Sequence, residues 1–231
     1  PTETVYGLGA NAYSNIASKK IFDLKKRNKR NPLIVHYYNL KMVNNDCIIN
    51  KNFIKLYKAL SPGPVTFILK LKKRSRISKY VTNNKKNLGV RFPLHKLTRK
   101  LLKNLKYPLA APSANISSKI SPVCKSDVKE EFGKKIKYIL DGGKCKIGLE
   151  STIIDLTSKP KILRLGGVDI EKINSILGIK ISYSKFNTGK VPGRSKLHYS
   201  PGIPIRLNAL HPKLDEAFIL IKKRNKSSKK F

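Results

Sequence analysis

The stretch PGPVTFILKL, residues 62–71, sets the frame of the fold. Two prolines around a glycine make a turn. The run 65–71 that follows is mostly β-branched, aromatic or aliphatic, as expected of a buried strand. Working outward from it, elements of both kinds alternate. Upstream, Ser14 or Asn15 caps a helix expected to reach about Lys26, with Ile16, Ala17, Ile21 and Leu24 as its apolar stripe. A strand over 33–37 and a short helix over 53–60 lead into the turn. Downstream come a strand over 88–92, a helix over 96–104, a short strand over 109–112 and a helix over 125–132. Strands over 138–140, 151–156 and 161–165 then precede a helix capped by Asp169 and ending at Leu177. Strands and helices mixed in this way specify an α/β layer fold.

The 231 residues, 40% of them hydrophobic, suffice for one good-sized core and a small additional piece. Fifty Lys and Arg against 13 Asp and Glu give a formal charge of +37. Such a surface attracts ATP, bicarbonate, RNA or acidic membranes. The lysines recur in every segment instead of forming one patch, so charge by itself selects no partner. Cys47, Cys124 and Cys145 are odd in number and form no CxxC pair, which predicts free thiols in a reducing, cytoplasmic setting. Neither Cys nor His falls at metal-ligand spacing, so no protein-built metal site is expected. No apolar run approaches the roughly 20 residues of a membrane span. Beyond Gly178 the periodicity fades. Residues 182–203 read as a linker rich in Ser, Gly, Pro and Lys. The stretches 203–210 (IPIRLNAL) and 216–221 (EAFILI) look like opening elements of a second domain, too small to bury a core alone.

Five stretches carry the chemistry. PTETVYGLG at 1–9 offers threonine hydroxyls beside a Gly7–Leu8–Gly9 turn that lets backbone approach a ligand. Lys25 and Arg27 end the first helix, followed by Arg30, Asn31 and the run NPLIVH at 31–36. They suit either the helix dipole or a triphosphate clamp, in which a Lys point charge and an Arg fork meet phosphate oxygens. GVRFP at 89–93 puts Arg91 in an apolar strand, where it needs a substrate carboxylate or a structural acid as partner. APSAN at 111–115 presents Ser113 and Asn115 after a short strand, a usual ligand position in open α/β sheets. LESTI at 149–153 opens a strand with Ser151 and Thr152. No GxSxG elbow surrounds Ser113, and none of the stretches supplies a nucleophile with its base. Small hydroxyls, amides and fixed cations instead suit the holding of a polyanion beside a small zwitterion, so that the two react with each other.

In order and wording these stretches resemble the YrdC-like family of threonylcarbamoyl-AMP synthases in its two-domain form, from Pro1 to about Pro201. The resemblance implies a twisted mixed sheet flanked by helices, with a concave basic cavity lined by a KxR and an SxN pair. These match Lys25 and Arg27, and Ser113 and Asn115. By resemblance, Lys25 and Arg27 are catalytic. ATP, carrying Mg²⁺, is held by Arg27, Asn31, Asn87, Ser113, Asn115, Ser121, Arg164 and Tyr199. L-Threonine is held by Thr4, His36, Arg91, the Ala111 backbone and Ser151. The implied layout is a catalytic domain at 1–178, a linker at 179–203 over the active site, and the start or remnant of a small C-terminal domain at 204–231. The linker signature matches Pro192, Gly193, His198, Tyr199 and Pro201. Asn28 stands where the family has Pro, Leu197 where it has an aromatic or Arg, and Asn87 where it has a small hydroxyl. Because the chain opens on Pro1 inside a motif, the strand that precedes this position in the family is expected to be missing.

The implied reaction joins L-threonine, bicarbonate or CO2, and ATP into threonylcarbamoyl-AMP and pyrophosphate. A tRNA threonylcarbamoyl transferase is the expected consumer. The enzyme is expected to be a monomer without membrane attachment, with RNA contact through its basic surface as a further partner. Two other readings are a carbamoyltransferase module of the hydrogenase-maturation type and a non-catalytic RNA-binding ribosome-assembly factor. The acylphosphatase and zinc-finger segments that normally accompany the first of these are absent from the sequence.

Overall fold

The computed structural model describes residues 1–183 and 203–219. The expected linker residues Pro192, Gly193, His198, Tyr199 and Pro201 lie outside the described residues, so the linker's position over the site and the nucleotide contact of Tyr199 do as well. The chain divides into two units, 1–200 and 201–231.

In the first unit the elements run β1 (Ala10–Asn11), α1 (Asn15–Lys25), β2 (Ile34–His36), α2 (Leu40–Asp46), α3 (Lys51–Leu60), β3 (Val65–Lys70), α4 (Lys79–Thr82) and β4 (Asn87–Arg91). There follow α5 (Lys96–Asn104), β5 (Leu109–Ala110), α6 (Lys125–Phe132), β6 (Thr152–Asp155), β7 (Lys161–Arg164), α7 (Ile170–Leu177) and β8 (Ser182–Tyr183). The strands form one mixed sheet in the order β1-β5-β2-β4-β3-β6-β7-β8. β2 and β4, β3 and β6, and β7 and β8 pair in parallel, and the remaining neighbours are antiparallel. The α/β expectation holds. The sheet continues through β8, five residues past the expected domain boundary at Gly178. In the second unit the described residues 203–219 hold turns and bends, with Arg206 paired to Glu216, and neither 203–210 nor 216–219 forms a helix or strand.

Local chemistry explains most of the elements. The Ser14 side chain accepts from the Ala17 amide and opens α1, and Lys26 closes the helix in the left-handed region at φ 48°. The Asn39 and Asn50 side chains cap α2 and α3 in the same way. α2 was not expected, because its sequence LKMVNND has too short an apolar period, and its asparagine cap supplies the missing signal. The strand expected over 138–140 does not form. Tyr138 is 77% exposed and Leu140 is 42% exposed, while Ile139 alone of the three packs inward, and the run pairs with no strand among the described residues.

β3 is the middle of the core. Val65, Phe67 and Leu69 are fully buried on one face of the sheet, and the Phe67 ring meets Phe53 of α3 edge-on at 5.2 Å. Strand alternation sends the even residues to the opposite face. Register then lines up His36 with Arg91 and Arg91 with Thr66, so three polar side chains form a row across β2, β4 and β3. All three are buried. This row is the floor on which the site is built.

After β7 the chain passes close against the strand entry at 150–152. A Cβ on Gly166 would stand 2.2 Å from the Glu150 carbonyl oxygen and 2.6 Å from the Thr152 nitrogen. Those neighbours are backbone and cannot swing aside. Gly166→Ala is therefore expected to cost about 1–3 kcal/mol of stability, the usual range for overpacking, and urea unfolding monitored by circular dichroism measures it.

Candidate active site

One end of the polar row opens into a cleft whose wall includes Arg27, His36, Arg91, Ala111, Ser113, Ser151 and Arg164. Stretches from five separate places in the sequence thus meet on one surface. Thr2, Gly7, Pro32 and Glu150 complete much of the lining. Gly7 bridges to Ser113, and the hydrogen bonds Leu8 N to Pro112 O and Ala114 N to Tyr6 O lock the two loops together.

Arg91 answers the question its sequence posed. Its Nη2 donates to Glu3 Oε1 at 2.7 Å and to Thr4 Oγ1 at 2.8 Å, and the second Glu3 oxygen accepts from the Leu94 amide at 2.9 Å. Burial works against the Glu3 charge, but the Arg91 guanidinium and the backbone amides of Glu3 and Leu94 together outweigh it and hold the carboxyl below its ordinary range. The structural acid is therefore present, and Arg91 keeps Nη1 without a protein partner among the described residues. Proton counting settles the Thr4 hydroxyl. Thr2 Oγ1 gives its proton to the Val5 carbonyl at 2.6 Å, so in the 2.8 Å contact between the two hydroxyls Thr4 is the donor. Its hydroxyl braces Arg91 inside the protein and is not part of the cleft lining. His36 lines the cleft with no bonded partner among the described residues. Burial and the neighbouring Arg91 hold its ring well below the usual histidine range, and hence neutral.

Across the cleft, Arg164 pairs with Glu150 and sends Nε and Nη2 to the Ser151 carbonyl at 3.1 and 2.9 Å. Its Nη2 also reaches Ser151 Oγ at 3.2 Å. Glu150 accepts in addition from Ser121 Oγ at 3.3 Å, which ties Ser121 behind the wall. The left-handed turn at Lys26 directs Arg27 into the cleft, where the Asn31 and Pro32 carbonyls steady it at 3.2 and 3.3 Å. Burial lowers Arg27 to about 10, against the pull of Glu150, with Arg164 adding to the depression.

Other expected residues take other places. Lys25 is buried, with Nζ donating to the carbonyls of Ser113, at 2.5 Å, and Asn115. It is not part of the cleft lining, because the SxN loop consumes its ammonium. Asn115 turns inward, its Nδ2 on the Ile116 and Lys119 carbonyls at 2.9 and 2.8 Å. Asn31 contributes its carbonyl to Arg27 and does not line the cleft. Asn87 is exposed at the start of β4, opposite Lys70. Strand rise puts it about 13 Å from Arg91, at the wrong end for the cleft. The Ala111 amide is spent on the Ile34 carbonyl. Glu3 and Glu150 were missed as site residues, though two acids inside motifs of so basic a chain were a readable signal.

The site is a polar cleft at the ends of the central strands of an α/β sheet, with three arginines, a neutral histidine and several hydroxyls. The family model Sua5_yciO_yrdC, described as "Telomere recombination", matches residues 1–166. The chain belongs to this Sua5/YciO/YrdC family. It is 41% identical over 215 residues to the threonylcarbamoyl-AMP synthase of Pyrococcus abyssi, covering 89% of this chain and 62% of that protein. The threonylcarbamoyl-AMP synthase of Bacillus subtilis is 37% identical over 213 residues, covering 90% and 61%. The crystal structure of P. abyssi Sua5 complexed with L-threonine superposes with a TM-score of 0.81 at 40% identity, covering 86% of this chain and 60% of that one. Escherichia coli YciO shares the fold, with a TM-score of 0.67 at 24% identity. The chain spans about three fifths of the length of the first two relatives.

Burial, with Arg27 close by, brings Lys25 down to about 7 from 10.5. Between those values the unfolded chain holds a proton that the folded chain lacks, so this residue makes stability rise with pH from about 7 to 10.5 and stay flat below 7. The wild-type stability curve is expected to climb above that of Lys25→Met by up to about 5 kcal/mol across this window. Urea unfolding at pH 7, 8.5 and 10 for both proteins measures the difference.

Proposed function

We propose that this chain forms threonylcarbamoyl-AMP and pyrophosphate from L-threonine, bicarbonate or CO2, and ATP, as a step in tRNA threonylcarbamoyladenosine modification. The observation that carries the reading is the pairing of two different polar subsites on one cleft. Arg91 and His36 form one; Arg27 and Arg164 form the other. Relatives named for this reaction support it.

Arg91 offers Nη1 to the threonine carboxylate, held in place by Glu3 and Thr4. Neutral His36 accepts from the threonine hydroxyl. The amine, once neutral, attacks the carbon of CO2 and forms a carbamate with release of a proton. A carbamate oxygen then attacks the α-phosphorus in line, and the bond to pyrophosphate breaks. Arg27 and Arg164 offset the charge that gathers on the phosphate oxygens. Lys25 acts one step back, by fixing the loop that carries Ser113. Positioning does most of the work, in keeping with a site that among the described residues has no paired nucleophile and base. Magnesium enters on ATP. Such ions need only one or two protein carboxylates beside the phosphates, and Glu150 is the acid in the cleft lining. Free thiols at Cys47, Cys124 and Cys145 fit a cytoplasmic setting, and among the described residues no helix is long and apolar enough to cross a membrane.

Pyrophosphate release from ATP that requires both L-threonine and bicarbonate is the expected result. A carbamoyltransferase would not require threonine, and a non-catalytic RNA-binding factor would release no pyrophosphate. Arg27→Ala should lower turnover about 10²- to 10³-fold, as for a lost transition-state donor. L-Valine should replace L-threonine poorly, because a site that bonds a hydroxyl strongly rejects analogues lacking it. Wild-type turnover in Arg27→Ala, or equal rates with valine, overturns these assignments.

A further inference from the structure

Ser151 and Thr66 share a 2.7 Å hydrogen bond between hydroxyls, each able in principle to be the donor. The surroundings decide the direction. Thr66 is fully buried, does not line the cleft, and has no hydrogen-bond partner for its hydroxyl among the described residues except Ser151. Were Ser151 the donor, the Thr66 proton would be left in the interior with no acceptor, an arrangement proteins avoid. Thr66 therefore donates. Arg164 Nη2 donates to the same Ser151 oxygen at 3.2 Å. A serine oxygen has two lone pairs and one proton. Both lone pairs are now taken, and the remaining proton has no protein acceptor among the described residues. Ser151 lines the cleft, so this proton is available to an acceptor on a ligand.

We propose that Thr66 is a positioning residue that fixes the Ser151 hydroxyl as an obligate donor, so that the cleft at this point selects a ligand oxygen with a free lone pair and excludes an N–H group. The proposal rests on the reading above only in naming that ligand as L-threonine, whose carboxylate, hydroxyl or nascent carbamate oxygen fits. Thr66 reaches this place because its strand register sets it beside Arg91 on the polar face of β3. An even-numbered apolar residue there would keep the sheet and lose the polarity.

The test compares Thr66→Val, which keeps the shape and removes the hydroxyl, with Thr66→Ser, which restores it. L-Threonine and ATP binding are measured separately by calorimetry on the full chain. Thr66→Val is expected to weaken L-threonine about tenfold with ATP affinity unchanged within about twofold, and Thr66→Ser to recover it. Wild-type threonine affinity in Thr66→Val, or equal loss in both variants, overturns the proposal. The bond direction is read independently by NMR of the wild-type protein. A slowly exchanging Thr66 hydroxyl proton close to the Ser151 Hβ atoms supports it, whereas a slowly exchanging Ser151 hydroxyl proton pointing at Thr66 overturns it. That reading stands even if Thr66→Val fails to fold. It also stands if the wild type binds no L-threonine, an outcome that would count against the proposed function instead.

Discussion

Burying an arginine without a counter-charge is prohibitively unfavourable, and this constraint organises the whole site. Arg91 and Arg164 are both buried, and each is matched by one carboxylate, Glu3 and Glu150. The chain has only 13 acids to distribute among 50 cations, so these two placements are specific. Each acid arrives on a loop from outside the sheet and meets an arginine fixed on a strand. The loops are thereby held where their neighbours, Thr2, Thr4 and Ser151, contribute to the cleft or to its support. Fold and chemistry are linked through the same two ion pairs.

The two arginines differ in what remains for a ligand. Arg91 has one nitrogen divided between Glu3 and Thr4, while Nη1 has no protein partner among the described residues. Arg164 spreads its donors over Glu150 and both oxygens of Ser151. The first is built like a hand held open, the second like a brace with charge to spare. Arg27, steadied among the described residues by two backbone carbonyls, is the most adaptable of the three cations.

Much of the fold was legible because it rests on local signals. The Ser14 cap, the apolar period of α5 and the turn before β3 each depend on nearby residues alone. The 138–140 strand failed because propensity does not supply a neighbouring edge. In the site, motifs located the loops but not the direction of their side chains. Lys25 reads as a ligand cation from its spacing to Arg27, yet only tertiary structure reveals that the 113–115 carbonyls claim it. Asn87 and Arg91 sit four apart in one strand, and sequence proximity hides the full strand length that separates them. Glu3 was in plain view inside PTETVYG; its role depends on Arg91, 88 positions away.

Apart from the Thr2 hydroxyl, which bonds Thr4 and Val5, the residues from Glu3 to Leu8 find few hydrogen-bond partners in their own sequence neighbourhood among the described residues. Their backbone groups bond instead to Pro112, Ala114, Pro122, Ile147 and Gly148. A chain emerging from the ribosome in order would therefore hold this stretch undocked until some 140 further residues had been made. The part of the cleft lined by Val5 and Gly7 is then among the last to consolidate. Such long-range closure slows folding and leaves this segment exposed to chaperones and proteases during synthesis.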